Sequence, residues 1–95
     1  MIRGGSIFRL NAKIIPERDK SITIFLRGSI VFSSWIPLSK LLDRFFKEGK
    51  RVTLDISETK FMDRRVMNKV YERADKFKEN GLELSVRSRM TSIDE

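Results

Sequence analysis

The stretch from Arg51 to Val86 constrains the fold of this chain most strongly, because its hydrophobic period changes twice. Its first segment, "RVTLDIS", is almost entirely apolar between charged ends, which is typical of a strand covered on both faces. Residues 64–79 then place apolar side chains at helical spacing, and Asn80-Gly81 marks the end of that helix. The closing segment, "LELSV", alternates apolar and polar residues as a strand does. Strand–helix–strand units join parallel strands through right-handed crossovers, so we expect these two strands to be parallel.

The N-terminal half of the chain shows the same two periods in a different order. Residues 6–15 alternate and predict a strand, "PERDK" predicts a polar turn, and "SITIFLRG" predicts a second strand deeper in the core. A helix is predicted from about Trp35 to Lys47, with Ser33 or Ser34 as its N-cap and Gly49 at its end. The helical side chains predicted to be buried are Leu38, Leu41, Leu42, Phe45 and Phe46 on the first helix, and Val66, Met67, Val70, Tyr71, Ala74 and Phe77 on the second.

The order β-β-α-β-α-β predicts a small α/β fold. We expect a mixed β-sheet whose first strand is antiparallel to the second and whose other strands are parallel, with the helices packed on the sheet. A chain of 95 residues is predicted to form one domain, residues 1–95, with a core of about 6–87. Residues 88–95 are interpreted as a tail or as the start of a truncated element.

Composition excludes several classes of chemistry. The chain has no cysteine and no histidine, which removes thiolate chemistry, disulfides, the usual general base and the commonest transition-metal ligand. A net charge of +7, from 20 Lys and Arg against 13 Asp and Glu, indicates nucleic acid, anionic lipid or acidic proteins as partners, or else simply a well-solvated surface. No apolar stretch is long enough to span a membrane and no signal-peptide core is present, so a soluble, cytoplasmic chain is predicted.

The candidate binding site lies where the third strand meets the second helix. In α/β sheets ligands gather beyond the carboxyl ends of strands, and a helix N-terminus there attracts anions. We interpret Asp63 as the helix cap, and Arg64 and Arg65 as a basic pair that the helix macrodipole disfavours; two solvated arginines are the alternative. Asp55 could pair with Asp63 for catalysis, but it is interpreted as the end of the strand, and no enzymatic activity is expected. The predicted contact residues are Ser57, Glu58, Thr59 and Lys60 in a turn, followed by Asp63, Arg64 and Arg65.

A second contact is predicted at the start of the first helix. Its residues are Ser33, Ser34 and Trp35. Trp35 is the one aromatic residue that could reach solvent, although a tryptophan at a helix start usually packs into the core. The other aromatic residues fit the apolar stripes, whereas nucleic-acid binding needs exposed aromatics among basic residues. Nucleic acid is therefore ranked well behind protein as a partner.

The chain resembles the STAS domain, named for sulfate transporters and anti-sigma-factor antagonists. The resemblance covers roughly Ser6 to Arg87 and rests on "VTLDIS", on "ETKFMD" leading into the second helix, and on "ENGLELSV". "GSIVFSSW" is most similar to the version at the cytoplasmic C-terminus of SulP-family anion transporters.

The resemblance implies two different functions. The first is a regulatory domain beneath a carrier of sulfate, bicarbonate or a similar anion, with the carrier's transmembrane domain, a cytoplasmic regulator, an anionic lipid surface or a second copy as partner. The alternative is a freestanding anti-sigma-factor antagonist, switched by phosphorylation of a serine that follows the Asp opening the second helix. Here Asp63 is followed by Arg64, Arg65 and Val66, so the hydroxyl is missing. No cofactor is expected; some family members bind GTP or ATP, but no nucleotide fingerprint is present.

Overall fold

The computed structural model describes residues 10–88, which form four strands, two α-helices and one short 3-10 helix. The strands and helices occur in the predicted order. In chain order they are β1 (Ala12–Pro16), β2 (Ser21–Ile30), the 3-10 helix (Phe32–Ser34), α1 (Trp35–Lys47), β3 (Arg51–Met62), α2 (Arg64–Glu79) and β4 (Leu84–Arg87). Both α-helices have the predicted bounds, whereas every strand differs in length from its prediction.

The four strands form one mixed sheet in the order β1-β2-β3-β4. Strand β1 runs antiparallel to β2, with Ala12 opposite Leu26. Strands β2, β3 and β4 are parallel, since Ile24 pairs with Leu54 and Leu54 with Val86. The predicted α/β class, with an antiparallel first strand and parallel neighbours after it, is therefore confirmed.

Both helices pack on the same face of the sheet. Each crossover joins neighbouring parallel strands and steps in the same direction, and right-handed crossovers then place their helices on one side. An edge-to-face contact between the rings of Phe46 and Phe77, 5.1 Å between centroids, joins the two helices. The buried core comprises Ile22, Ile24, Leu26, Ile30, Leu38, Leu42, Phe45, Val52, Leu54, Val66, Val70, Phe77 and Leu84.

Within residues 10–88, helices cover strand β3 on one face only, which corrects the expectation drawn from its apolar composition. Val52 and Leu54 are buried beneath the helices, while the intervening Thr53 and Asp55 lie on the other face in register with Thr23 and Phe25. Neither described helix lies on that second face. The segment "VTLDI" is thus an alternating strand whose polar positions are a threonine and a buried aspartate.

Strand β3 continues well past the predicted turn, which is a second correction. Ser57, Glu58, Thr59 and Lys60 belong to β3, which ends only at Met62. The register between β3 and β2 shifts twice. From Asp55 to Glu58, β3 advances by three residues while β2 advances by two, and from Thr59 to Phe61, β3 advances by two residues while β2 advances by one. Such bulges insert extra residues and bend the strand. A polar strand with bulges has the same residue composition as a turn, which is why the sequence predicted a turn here.

Other differences concern the ends and faces of elements. Pro16 closes β1 rather than opening a turn, and β2 extends to Ile30 through Gly28. Tyr71, predicted to be buried, is 55% exposed, whereas Trp35 packs half-buried against the core, as a tryptophan at a helix start usually does. The predicted strand residues 6–9 and nearly all of the predicted tail, 89–95, lie outside the described residues. Between residues 10 and 88, neither helix is long and apolar enough to cross a membrane.

Candidate interaction surface

The first bulge of β3 is held by the carboxylate of Asp55. Asp55 is buried, and its Oδ1 accepts hydrogen bonds from the backbone N–H of Ser57 at 2.9 Å and from the Ser57 hydroxyl at 2.6 Å. Arg87 of β4 reaches Oδ2 at 3.5 Å. The Thr59 hydroxyl donates to the carbonyl of Ile56 at 2.7 Å. Asp55 is therefore a structural group within β3 rather than a free carboxylate at the strand's end.

The pKa of Asp55 reflects this environment. Burial by itself raises the pKa of the carboxyl group, because it disfavours the charged form. The two hydrogen bonds from Ser57 and the charge of Arg87 together outweigh burial, so the pKa lies below its ordinary value. A carboxylate with a lowered pKa is poorly suited to act as a general base near neutral pH.

Asp63 caps α2, as predicted. Its Oδ1 accepts from the backbone N–H of Arg65 at 2.8 Å, and the Arg65 guanidinium forms a bidentate pair with the same carboxylate. Hydrogen bonds from the side chain and backbone of Arg65 lower the pKa of Asp63. The guanidinium also lies over the ring of Phe32, with its carbon 4.5 Å from the ring centroid. Arg65 is thus oriented by two contacts, whereas its neighbour Arg64 is exposed and has no ion pair within the described chain.

The remaining predicted residues of this region are split between two roles. The carboxylate of Glu58 pairs with Arg27 of β2 at 3.6 Å across the surface. Lys60 lies at the second bulge of β3 and is exposed. Ser57 and Thr59 use their hydroxyls inside the strand, as described above. The predicted set is therefore assembled at one end of the sheet, but only part of it faces outward.

The start of α1 differs from its prediction in detail. Ser34 occupies the N-cap position but makes no side-chain cap bond to α1; its hydroxyl oxygen accepts from the backbone N–H of Val31 at 3.2 Å. Ser33 is exposed. Trp35 lies under the guanidinium of Arg73, which also pairs with Asp43. Ser34 and Trp35 therefore hold α1, the 3-10 helix and α2 together.

Sequence reasoning missed the apolar residues at this end. Phe61, next to Lys60, is 53% exposed, and Phe32 is 42% exposed. Val31 and Ile36, which flank the 3-10 helix and the first turn of α1, are exposed as well. Phe61 pairs with Ser29 at the end of β2, so these four residues surround the carboxyl ends of β2 and β3. The available signal was "SIVFSSWI", which contains more apolar residues than one helix stripe can bury.

We define the carboxyl-end surface as Val31, Phe32, Ile36, Lys60, Phe61 and Arg64. It combines exposed apolar side chains with exposed cations. Across residues 10–88, no cluster of three or more acidic side chains is arranged to hold a metal ion. Asp55 and Asp63 are each bonded to a different partner, so the described site contains no pair of free carboxylates. The groups that this surface exposes are suited to contact with a partner.

Comparison with known structures shows similarity in fold. A crystal structure of Mglu superposes with a TM-score of 0.64 at 15% identity over 85% of this chain, and Mglu in its native form gives 0.70 at 14% identity over 93%. Mglu in its L-glutamate binding form, in the presence of 4.3 M NaCl, gives 0.65 at 13% identity over 95%. This chain spans 20%, 25% and 29% of those three chains, respectively. No protein-family model matches the chain, and no curated protein sequence matches it.

Proposed function

We propose that this chain is a non-catalytic, STAS-type regulatory and protein-interaction domain of a SulP-type anion transporter, acting on the cytoplasmic side of the membrane. The observation that carries the proposal is the carboxyl-end surface, where apolar and basic side chains are exposed together. The mixed sheet, with the expected strand directions, is consistent with a STAS-type fold. The resemblance of "VTLDIS" and "ETKFMD" supports a STAS-type domain, and that of "GSIVFSSW" supports the transporter branch.

The physical reason for contact at this surface is the cost of leaving large apolar groups in water. Burying a phenylalanine side chain contributes about 1.5–3 kcal/mol, so a partner that covers Phe32 and Phe61 gains appreciable free energy. Aromatic residues and arginines are the residue types that dominate interface energies. Phe32 is also held in place by Arg65, which lowers the entropy lost when a partner binds.

The alternative is a freestanding anti-sigma-factor antagonist, but the local chemistry offers little support for a phosphorylation switch. Arg64 and Arg65 occupy the positions after Asp63 where the switched hydroxyl belongs. The nearby hydroxyls of Ser57 and Thr59 donate to Asp55 and to the carbonyl of Ile56. Phosphorylation of either would break an internal hydrogen bond of β3 and place its negative charge beside a bulged strand.

Fractionation of native cells tests the proposal. An antibody against this domain is expected to detect a membrane-bound protein several-fold heavier than 11.2 kDa, because the transporter includes its membrane-spanning part. Carbonate washing, which removes peripheral proteins, is expected to leave that band in the membrane fraction. A soluble band near 11.2 kDa would instead support the freestanding alternative and reject the transporter assignment.

A paired substitution tests whether the carboxyl-end surface makes the contact. In the parent protein, Phe61→Ser with Arg64→Glu is expected to reduce cross-linking between this domain and its partner at least tenfold, since both side chains are exposed. The control is Ile14→Ser with Lys47→Glu, which changes one exposed apolar and one exposed basic residue elsewhere. Equal cross-linking by both variants would place the contact on another surface.

A further inference from the structure

The carboxyl-end surface collects most of the exposed apolar residues of the described chain. Between residues 10 and 88, six large apolar side chains are exposed, and four of them belong to this surface. Phe61 pairs with Ser29, and the backbone remains extended through Val31, so Val31 and Phe61 project to the side of the sheet away from the helices. Phe32 lies on the helix side, beneath the guanidinium of Arg65. Apolar groups therefore flank this end of the sheet on both sides.

The electrostatic character of the same end is positive. Neither α1 nor α2 has an acidic residue in its first turn, and both helices direct their N-termini, with the positive end of the macrodipole, toward this end. Lys60 and Arg64 add exposed charges. The nearest carboxylates are neutralised locally, since Asp63 is paired with Arg65 and Glu58 with Arg27. The surface thus complements an anionic partner.

Most directional polar groups of this end are already used inside the molecule, although the hydroxyls of Ser29 and Ser33 are exposed. The hydroxyls of Ser57, Thr59 and Ser34 form internal hydrogen bonds, and the carboxylate of Asp63 is occupied by Arg65. A specific protein interface usually carries about one hydrogen bond per 100–200 Å², which needs oriented donors and acceptors. The carboxyl-end surface itself exposes apolar side chains and flexible cations, with the hydroxyls of Ser29 and Ser33 beside them, and a lipid surface satisfies such groups without fixed partners.

We infer that the carboxyl-end surface docks on an anionic lipid bilayer. The side chains of Val31, Phe32, Ile36 and Phe61 enter the boundary between head groups and acyl chains, and Lys60 and Arg64 contact the anionic head groups. The inference deepens the proposed function, on which it rests in naming the cytoplasmic leaflet as the lipid. The lipid is then what covers Phe32 and Phe61, and the loss of cross-linking expected for Phe61→Ser with Arg64→Glu follows from lost docking. Docking in this way would set the orientation of the domain beneath the transporter, with the C-terminal ends of both helices facing away from the membrane.

Vesicle sedimentation with the 95-residue chain tests the inference. The chain is expected to sediment with vesicles of phosphatidylcholine and phosphatidylserine at roughly a 2:1 ratio, and not with phosphatidylcholine alone. Binding is expected to be largely lost in roughly 1 M NaCl, where the screening length is about 3 Å. Each cation near an anionic surface contributes about a fivefold gain in affinity, so Lys60→Gln with Arg64→Gln is expected to weaken binding on the order of 10- to 30-fold.

Two matched controls separate docking at this end from general attraction. Lys47→Gln with Lys78→Gln removes the same charge from the last turns of α1 and α2, at the opposite end of the molecule. Phe61→Ser is compared with Ile14→Ser, a change at an exposed apolar residue of β1. The inference requires that Lys60→Gln with Arg64→Gln weakens binding by roughly tenfold or more, and that Phe61→Ser does the same. Each control variant is expected to change binding by less than about twofold. Circular dichroism confirms that each variant is folded.

Three outcomes would overturn the inference. Absence of binding to the anionic vesicles removes it outright, and equal losses in both charge-removal variants leave only non-specific attraction of a basic protein. Self-association that Phe61→Ser abolishes, without vesicle binding, assigns the surface to a second copy. Failure here is separate from failure of the proposed function, because the vesicle result does not depend on whether native cells contain a large membrane-bound parent or a soluble 11.2 kDa protein.

Discussion

Asp55 shows how one residue resolves a conflict between backbone and burial. A bulge in β3 turns the N–H of Ser57 away from the regular ladder, and an unpaired N–H in this partly buried place costs free energy. The buried carboxylate of Asp55 accepts that N–H and the adjacent hydroxyl at once, while Arg87 offsets its charge. The residue is polar because the strand is irregular, not because the site performs chemistry.

Replacing Asp55 with alanine is therefore expected to destabilise the chain by about 2–3 kcal/mol, since it leaves two donors of Ser57 without their acceptor. Asp55→Asn keeps an acceptor oxygen and is expected to cost less. Arg87→Gln is the matched comparison and is expected to cost under about 1 kcal/mol, because the Arg87 side chain is largely exposed. Urea denaturation monitored by circular dichroism measures all three. A loss from Arg87→Gln as large as that from Asp55→Ala would show that the ion pair, and not the hydrogen bonds, dominates.

The lowered pKa of Asp55 also predicts a pH dependence. In the unfolded chain the carboxyl group has a pKa of about 3.9, above its folded value, so between the two values the unfolded state binds more protons. The stabilisation is fully present above the unfolded pKa and is lost as pH falls through the folded pKa. Asp63 acts in the same direction. Asp55→Asn should therefore reduce, without abolishing, the loss of stability below about pH 4 in acid titrations; an unchanged slope would contradict the assignment.

Among the elements, β3 departs furthest from what its sequence indicates. Its N-terminal half is a regular alternating strand between β2 and β4, and β4 pairs only with residues 52–55. Beyond that point β3 pairs with β2 alone, in a bulged register that brings Lys60 and Phe61 to the surface. Gly28 in β2 lies beside the second register shift and has φ of +75°. The candidate surface thus depends on a backbone geometry that the two strands make jointly.

Gly28→Ala is expected to destabilise the chain by about 1–2 kcal/mol. No heavy atom lies within 4 Å of the added Cβ, so the cost arises from the left-handed backbone conformation and not from a clash. Gly28→Asn should cost less, because asparagine tolerates that conformation better. Thermal denaturation of the two variants measures the difference. If asparagine proved as costly as alanine, backbone strain would not be the cause.

At the scale of the whole molecule, one core joins every strand and helix of the described chain. The core residues of β2, β3 and β4 lie on one sheet face, and α1 and α2 cover them together. Three cations of α2 lie over aromatic rings at the outer edge of the core. Arg73 lies over Trp35 and Lys76 over Phe46, which ties α2 to α1. Arg65 lies over Phe32, which ties α2 to the 3-10 helix. The described elements have no separate core that could melt independently.

Unfolding is therefore expected to be a single transition. Far-ultraviolet circular dichroism and the fluorescence of Trp35, the one tryptophan, should give the same midpoint. Phe77 is fully buried, so Phe77→Leu should lower both midpoints together, with a loss of roughly 1–2 kcal/mol. Midpoints that separate in this variant would mean that the helix pair and the sheet unfold as distinct units.

The fold itself was largely predictable, because its determinants are local. Residues 35–47 and 64–79 carry a helical period with clear ends, and the alternating strand segments around them leave a single sensible topology. Helix bounds, strand order and the Asp63 cap follow from neighbouring residues alone. The position of the candidate site, beyond the carboxyl ends of parallel strands, follows from that topology.

The side chains that form the surface were decided only by the tertiary structure. Whether a polar segment such as "SETK" is a turn or a bulged strand depends on its pairing with β2, which lies some thirty residues away along the chain. Whether Phe32, Phe61 or Tyr71 is buried depends on whether packing space remains, and the core is already filled by aliphatic residues, Phe45 and Phe77. The sequence determined which elements form and how they connect, since those choices are made by residues a few positions apart. Long-range pairing and the limited volume of the core decided which apolar and charged groups were left outside.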